Sequence, residues 1–192
     1  DSGILLCAEN PSRMLRKVSE IYDRIGFAGV GKYNEFDQLR IAGIRHADLK
    51  GFSFSREDVD ARSLANQYAQ ILGQVFTHEM KPMEVEILVA EVGHDPAGDQ
   101  LFHILYDGTL IDETGWAVLG GEAEAIGERM GSAWVEGGTL AQAVNAAVTA
   151  LAGPERTIPV TELEVAVLAR GNGRRTFQRI EDDELTPLIE PS

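Results

Sequence analysis

The sequence predicts an α+β fold with antiparallel sheets covered on the outside by layers of helix. Strand-like segments come in groups, and segments with helical spacing come in pairs. Their order is strands, two helices, strands, two helices, strands. A doubly wound parallel fold would interleave single strands with single helices. Short turn signals, Asp95 to Gly98 and Gly171-Asn172-Gly173, also separate strand pairs as in hairpins.

Each element has a local reason. Gly3–Glu9 is mostly apolar and reads as a strand. Val18–Arg24 mixes polar and apolar residues and reads as a second. Ile25–Gly31 is apolar and rich in glycine, which penalises helix and favours a third strand. Tyr33, Phe36, Leu39 and Ala42 or Gly43 then recur at three-residue spacing, predicting a helix to about Arg45. Ser55 with Asp58 three residues on resembles a capping box, and Val59, Leu64, Tyr68, Ile71, Leu72, Val75 and Phe76 mark a helical face ending near Glu79, before Pro82.

Met83–Gly93 and Leu101–Tyr106 read as a hairpin, with an Asp107-Gly108 turn after the second strand. Leu110–Gly120 is short and extended. Glu122–Val135 returns to helical spacing and stops at Gly137-Gly138. Thr139 caps a further helix that ends at Gly153-Pro154. Leu163–Arg170 and Arg175–Ile180 are the last strands. The predicted organisation is one domain over residues 1–180 and an acidic, loosely held tail over 181–192, which contains Pro187 and Pro191.

Composition narrows the function classes. The 192 residues are enough to bury roughly 70% of the unfolded surface without a disulfide or metal staple. Seventeen Lys and Arg stand against 31 Asp and Glu, a formal charge of −14. Such a surface repels nucleic-acid backbones and anionic membranes. No stretch approaches the ~20 apolar residues of a membrane span, and no secretory leader is read at the N-terminus. Cys7, the single cysteine, sits in an apolar run and reads as a small buried hydrophobe; with no intrachain disulfide possible, the chain fits a reducing, cytoplasmic setting.

Candidate chemistry is sparse. Gly26 to Lys32 matches G-x-x-x-x-G-K, but Tyr33 follows where a phosphate-binding loop needs Ser or Thr. The competing reading is a glycine-rich strand whose small residues admit another layer. His46, His78, His94 and His103 form no metal-ligand spacing and read as loop or surface residues. There is no G-x-S-x-G elbow, and no cofactor is implied. Arg13, Arg16 and Lys17 make a small basic cluster in an acidic chain, either a solvated patch or a site for an anion such as a chain-terminal carboxylate.

The segments taken together resemble the proteasome α subunits of actinobacterial type. Gly3 to Ser12 resembles that family's second strand and following loop. Lys17 to Gly31 resembles its K-[IV]-x-x-[IL]-x-x-x-[IV]…G pattern. Asn34 to Arg40 is similar to the actinobacterial helix start, Lys81-Pro82-Met83-Glu84-Val85-Glu86 to an Arg-Pro-x-x-V segment with Lys for Arg, and Leu163 to Leu168 to the late core strand.

The resemblance implies the αββα four-layer sandwich of N-terminal-nucleophile hydrolases, two antiparallel sheets between helical layers. It implies a non-catalytic subunit of the 20S core: a seven-membered outer ring that touches neighbouring α subunits and β subunits, gates substrate access and docks regulators. The catalytic threonine of such particles belongs to the β subunits, and here the chain reads Asp1-Ser2-Gly3. The family's N-terminal segment, helix and first strand precede the position of Gly3, so an incomplete N-terminus is expected, with the gate residues in the missing part. The alternative is a stand-alone hydrolase of the same fold whose nucleophile lies in that part.

The resemblance also assigns Lys17 to the lysine that binds an activator's C-terminal carboxylate, and Gly31 to a glycine lining the same pocket. The implied partners are a ring-shaped ATPase unfoldase, an ATP-independent activator, and substrates tagged with a small ubiquitin-like protein.

Overall fold

The computed structural model describes residues 2–12 and 14–189. Eight strands among them form two antiparallel sheets. The smaller holds β1 (Gly3–Glu9), β7 (Leu163–Ala169) and β8 (Phe177–Ile180), in the order β1-β7-β8. The larger runs in chain order through β2 (Val18–Tyr22), β3 (Ile25–Gly31), β4 (Val85–Glu91), β5 (Gln100–Ile104) and β6 (Leu110–Glu113). The principal helices are α1 (Tyr33–Ser53), α2 (Ala61–His78), α3 (Ala123–Ala133) and α4 (Leu140–Ala152), followed by the short α5 (Asp182–Leu185).

Alternation along the strands sorts the side chains into layers. On β4, Val85, Ile87 and Val89 join Phe27, Leu64, Tyr68 and Leu72 in a core beneath α1 and α2. Leu88 and Ala90 face the other way and meet Leu6, Ala166 and Leu168 of the smaller sheet. Outside that sheet, Val165 and Leu163 pack with Val144 of α4, and Leu5 and Cys7 border the same cluster. Burial pushes the Cys7 thiol up to about 12, as suits a packing residue. Helix α3 covers α4 through Met130, Ala146 and Ala150. The layers are therefore helix, sheet, sheet, helix, and the αββα architecture is the observed one.

Gly26 to Lys32 is not a phosphate loop. It is β3 and the residue capping α1, fully paired to β4 from Ile25↔Glu91 to Gly31↔Val85. A Cβ on Gly26 would lie 2.9 Å from Leu6 Cδ1 and 3.4 Å from Leu168, so the missing side chain lets the smaller sheet close on the larger. Lys32 lies beside Glu35 and Glu84, at 3.9 and 3.7 Å.

Several boundaries differ from those predicted. Helix α1 continues to Ser53, because Ala47 keeps its buried face going while Leu49 and Phe52 project outward and blur the spacing. Ser55 caps only a short 3-10 turn, Arg56–Asp58. Asp60 is the cap of α2, accepting a hydrogen bond from the Ser63 N–H at 2.7 Å. Thr139 and Gln142 do form a capping box on α4.

The tail is not loose as far as it is described. Leu185 is 1% exposed and packs with Val144, Ile158, Leu163 and Val165, with Leu188 and Ile189 against the same cluster. Asn145 of α4 donates to the Leu188 carbonyl at 2.7 Å. Residues 190–192 lie outside the described residues.

His103 corrects another expectation. It is buried on β5, with Nε2 3.1 Å from Glu86 on β4 and Nδ1 3.5 Å from Glu113 on β6. Glu86 also accepts the Gly120 N–H at 3.3 Å. The histidine thus ties the edge strand β6 to its neighbours.

Candidate functional site

Lys17 stands where the loop from β1 enters β2. The loop is fixed by Asn10, a buried residue whose N–H donates to the Glu162 carbonyl at 2.6 Å. Its amide nitrogen donates to the Leu15 carbonyl at 2.6 Å and to Glu164 at 2.7 Å, while its amide oxygen accepts the Ser12 N–H at 3.1 Å. The Lys17 main chain is held on both sides. Its N–H donates to Glu164 Oε2 at 2.9 Å, and its carbonyl accepts the Gly29 N–H at 2.9 Å.

The Lys17 ammonium donates to the main-chain carbonyl of Glu9 at 2.8 Å. That acceptor is neutral. The two carboxylates nearby each have a guanidinium of their own. Glu9 makes a two-pronged pair with Arg156, 2.7 Å on each oxygen, which holds its carboxyl below the ordinary range. Glu164 pairs with Arg179 at 2.9 Å. In a chain of charge −14, Lys17 therefore keeps a cation with no carboxylate of its own among the described residues.

Gly31 lies at the end of β3. The Lys17 carbonyl meets Gly29, so Gly31 is two residues further along the strand, roughly 7 Å away at the usual strand rise. Its φ is +101°, and a Cβ there would stand 2.2 Å from the Glu84 carbonyl oxygen. The glycine is required by the backbone itself. Lys17 and Gly31 both lie against the cavity that also takes in β1 and the start of β4. Of the rest of the basic cluster, Arg16 is exposed and Arg13 falls outside the described residues.

The residue that sequence reading passed over is Glu164. Its signal is a lone carboxylate in the otherwise apolar run Leu163-Glu164-Val165-Ala166-Val167-Leu168. Among the described residues, no group of three or more His, Cys, Asp or Glu could hold a metal, and no helix is long and apolar enough to cross a membrane.

The family model described as "Proteasome subunit" matches residues 3–167. The chain belongs to the proteasome family. Its curated relatives include α subunits from actinobacteria. "Proteasome subunit alpha" of Acidimicrobium ferrooxidans is 60% identical over 98% of this chain and 82% of its own length. The proteins of that name from Xylanimonas cellulosilytica and Sanguibacter keddieii are each 54% identical, over 97% and 98% of this chain and 81% and 76% of their own lengths. These likenesses agree with the αββα layering and make this chain a proteasome subunit of the α type. Membership implies assembly with other proteasome subunits.

Proposed function

We propose that the chain is a non-catalytic α subunit that forms the seven-membered outer rings of a 20S core, controls substrate access and docks regulators, while peptide cleavage takes place on the β subunits. Docking uses Lys17, with Gly31 beside it. The observation that carries this reading is the Lys17 ammonium, held on the neutral Glu9 carbonyl while Glu9 and Glu164 pair with Arg156 and Arg179. Such a cation can receive the terminal carboxylate of an activator's tail, and a partly desolvated, charge-assisted bond there contributes about 1.5–3 kcal/mol. Gly31, two residues along β3 from the Gly29 that pairs with the Lys17 carbonyl, adds no side chain beside it. The regulators are a ring-shaped ATPase unfoldase and an ATP-independent activator. Substrates carry a small ubiquitin-like tag, and the particle works in the cytoplasm.

The test is Lys17→Ala in the full-length chain, co-expressed with the β subunit of the same organism. Native mass first establishes whether a four-ring particle forms. Activator-stimulated degradation is then compared with the unstimulated rate of the same particles. Loss of stimulation supports the docking role, and undiminished stimulation removes it. A chain that stays monomeric and hydrolyses substrate without any β subunit would favour the stand-alone hydrolase instead.

A further inference from the structure

We infer that Glu164 is a positioning residue for Lys17, setting where the docking ammonium stands. The inference rests on the reading of Lys17 just given. Glu164 belongs to β7 in the smaller sheet, opposite Ala8 of β1. Its side chain crosses to the start of β2 in the larger sheet. Only 4% of it is exposed, and it accepts four hydrogen bonds, two on each oxygen. Oε1 takes the Val18 N–H at 3.1 Å and Arg179 at 2.9 Å. Oε2 takes the Lys17 N–H at 2.9 Å and the Asn10 amide at 2.7 Å. Arg179, from β8, also donates to the Val18 carbonyl at 2.5 Å.

The carboxylate therefore grips the peptide groups on both sides of the Lys17 Cα and one end of the loop before it. Three strands, β1, β3 and β7, fix the points from which the lysine side chain departs and to which it is tethered. A binding group must be held within about 0.5 Å of its working place to be effective, and Glu164 supplies much of that constraint here.

The chemistry also says which substitution is informative. Every partner of Glu164 is a donor, and each oxygen receives two. A glutamine has one oxygen and one NH2 group, so in either orientation its NH2 faces two N–H donors. Glu164→Gln keeps the volume but cannot keep the four bonds, and it leaves Arg179 without its charged partner.

The experiment uses the assembled particle and a short fluorescent peptide carrying the C-terminal sequence of the organism's own ring ATPase, as free acid and as C-terminal amide. The acid-to-amide ratio of affinities reads the lysine–carboxylate contact alone. It is measured for wild type, Lys17→Ala, Glu164→Gln and the double variant. The expected result is that Lys17→Ala abolishes the preference for the acid, that Glu164→Gln reduces it roughly threefold to tenfold, part of the roughly 10- to 150-fold that a charge-assisted bond supplies, and that the double variant loses no more than Lys17→Ala.

A purely structural Glu164 would lower thermal stability or particle yield yet leave the ratio of the surviving particles unchanged. That result overturns the inference. If Lys17→Ala itself leaves the ratio unchanged, the docking site falls and this inference with it. If Glu164→Gln does not assemble, Arg179→Lys is read in the same assay. It keeps the charge but cannot bridge Glu164 and the Val18 carbonyl as a guanidinium does. A reduced ratio upholds the inference and an unchanged one refutes it.

Discussion

Leu185→Ala tests whether the acidic C-terminal segment is part of the fold. The side chain is 1% exposed, inside the cluster that joins α4, β7 and the segment before β7. The substitution removes three carbon groups, a transfer loss of about 2.4 kcal/mol at roughly 0.8 kcal/mol each. A rigid cavity would raise this toward the ~5 kcal/mol upper end for buried leucines. The segment lies at the end of the chain and can settle inward, so a loss of about 2–3 kcal/mol is expected. For a chain of this size, that lowers Tm by roughly 5–10 °C.

Thermal unfolding of the purified chain gives the Tm, and amide hydrogen exchange locates the change. The Glu184 and Leu185 N–H groups both donate to the Glu181 carbonyl, at 3.0 and 2.8 Å. They should be protected in the wild type and lose protection in the variant. Unprotected amides in the wild type, with Tm unmoved by the substitution, would refute the docking of this segment.

Two further outcomes follow from buried polar groups and ion pairs. Among the described residues, the Tyr68 hydroxyl is buried without a hydrogen-bond partner, and a Cβ on Gly43 would fall 1.8 Å from it. Tyr68→Phe should leave stability unchanged or raise it by up to ~1 kcal/mol, Gly43→Ala should lower it, and the double variant should recover part of that loss; a clear loss on Tyr68→Phe alone in denaturant unfolding would mean the hydroxyl is satisfied. Hydrogen bonding to Arg156 holds the Glu9 carboxyl below its ordinary range in the folded chain, so the pair's stabilisation is complete above that range and is lost as pH falls through the lower folded value. The Tm difference between wild type and Arg156→Met should therefore shrink on acidification, and a difference that grows would contradict the assignment.

Much of this fold is local information. The apolar strands β1, β3, β4 and β7 and the α4 cap are set by residues within a few positions of one another, and the sequence shows them. What it hides is long-range. Ser55 and Asp60 carry the same capping chemistry, and only the packing of Ala61 and Leu64 decides which one starts α2. The tail is polar by count, yet Leu185, with Leu188 and Ile189 beside it, secures it once α4 and β7 are in place. His103 reads as a surface residue until β4 and β6 bring Glu86 and Glu113 to it. Lys17 is marked by the motif around it, but its support is Glu164, 147 positions away in the chain.

That separation has a bearing on how the molecule is born. The donors that meet Glu164 come from residues 10, 17 and 18, which leave the ribosome early, and Arg179 closes the arrangement from 161 positions beyond Val18. At about 5–20 residues per second, the early loop waits roughly 10–30 s for the strands that shape it. Until β7 and β8 emerge, the carboxylate and the guanidinium that fix the start of β2 are absent. A chain stalled before β7 therefore leaves the peptide groups of Lys17 and Val18 without the acceptor that holds them in the finished fold.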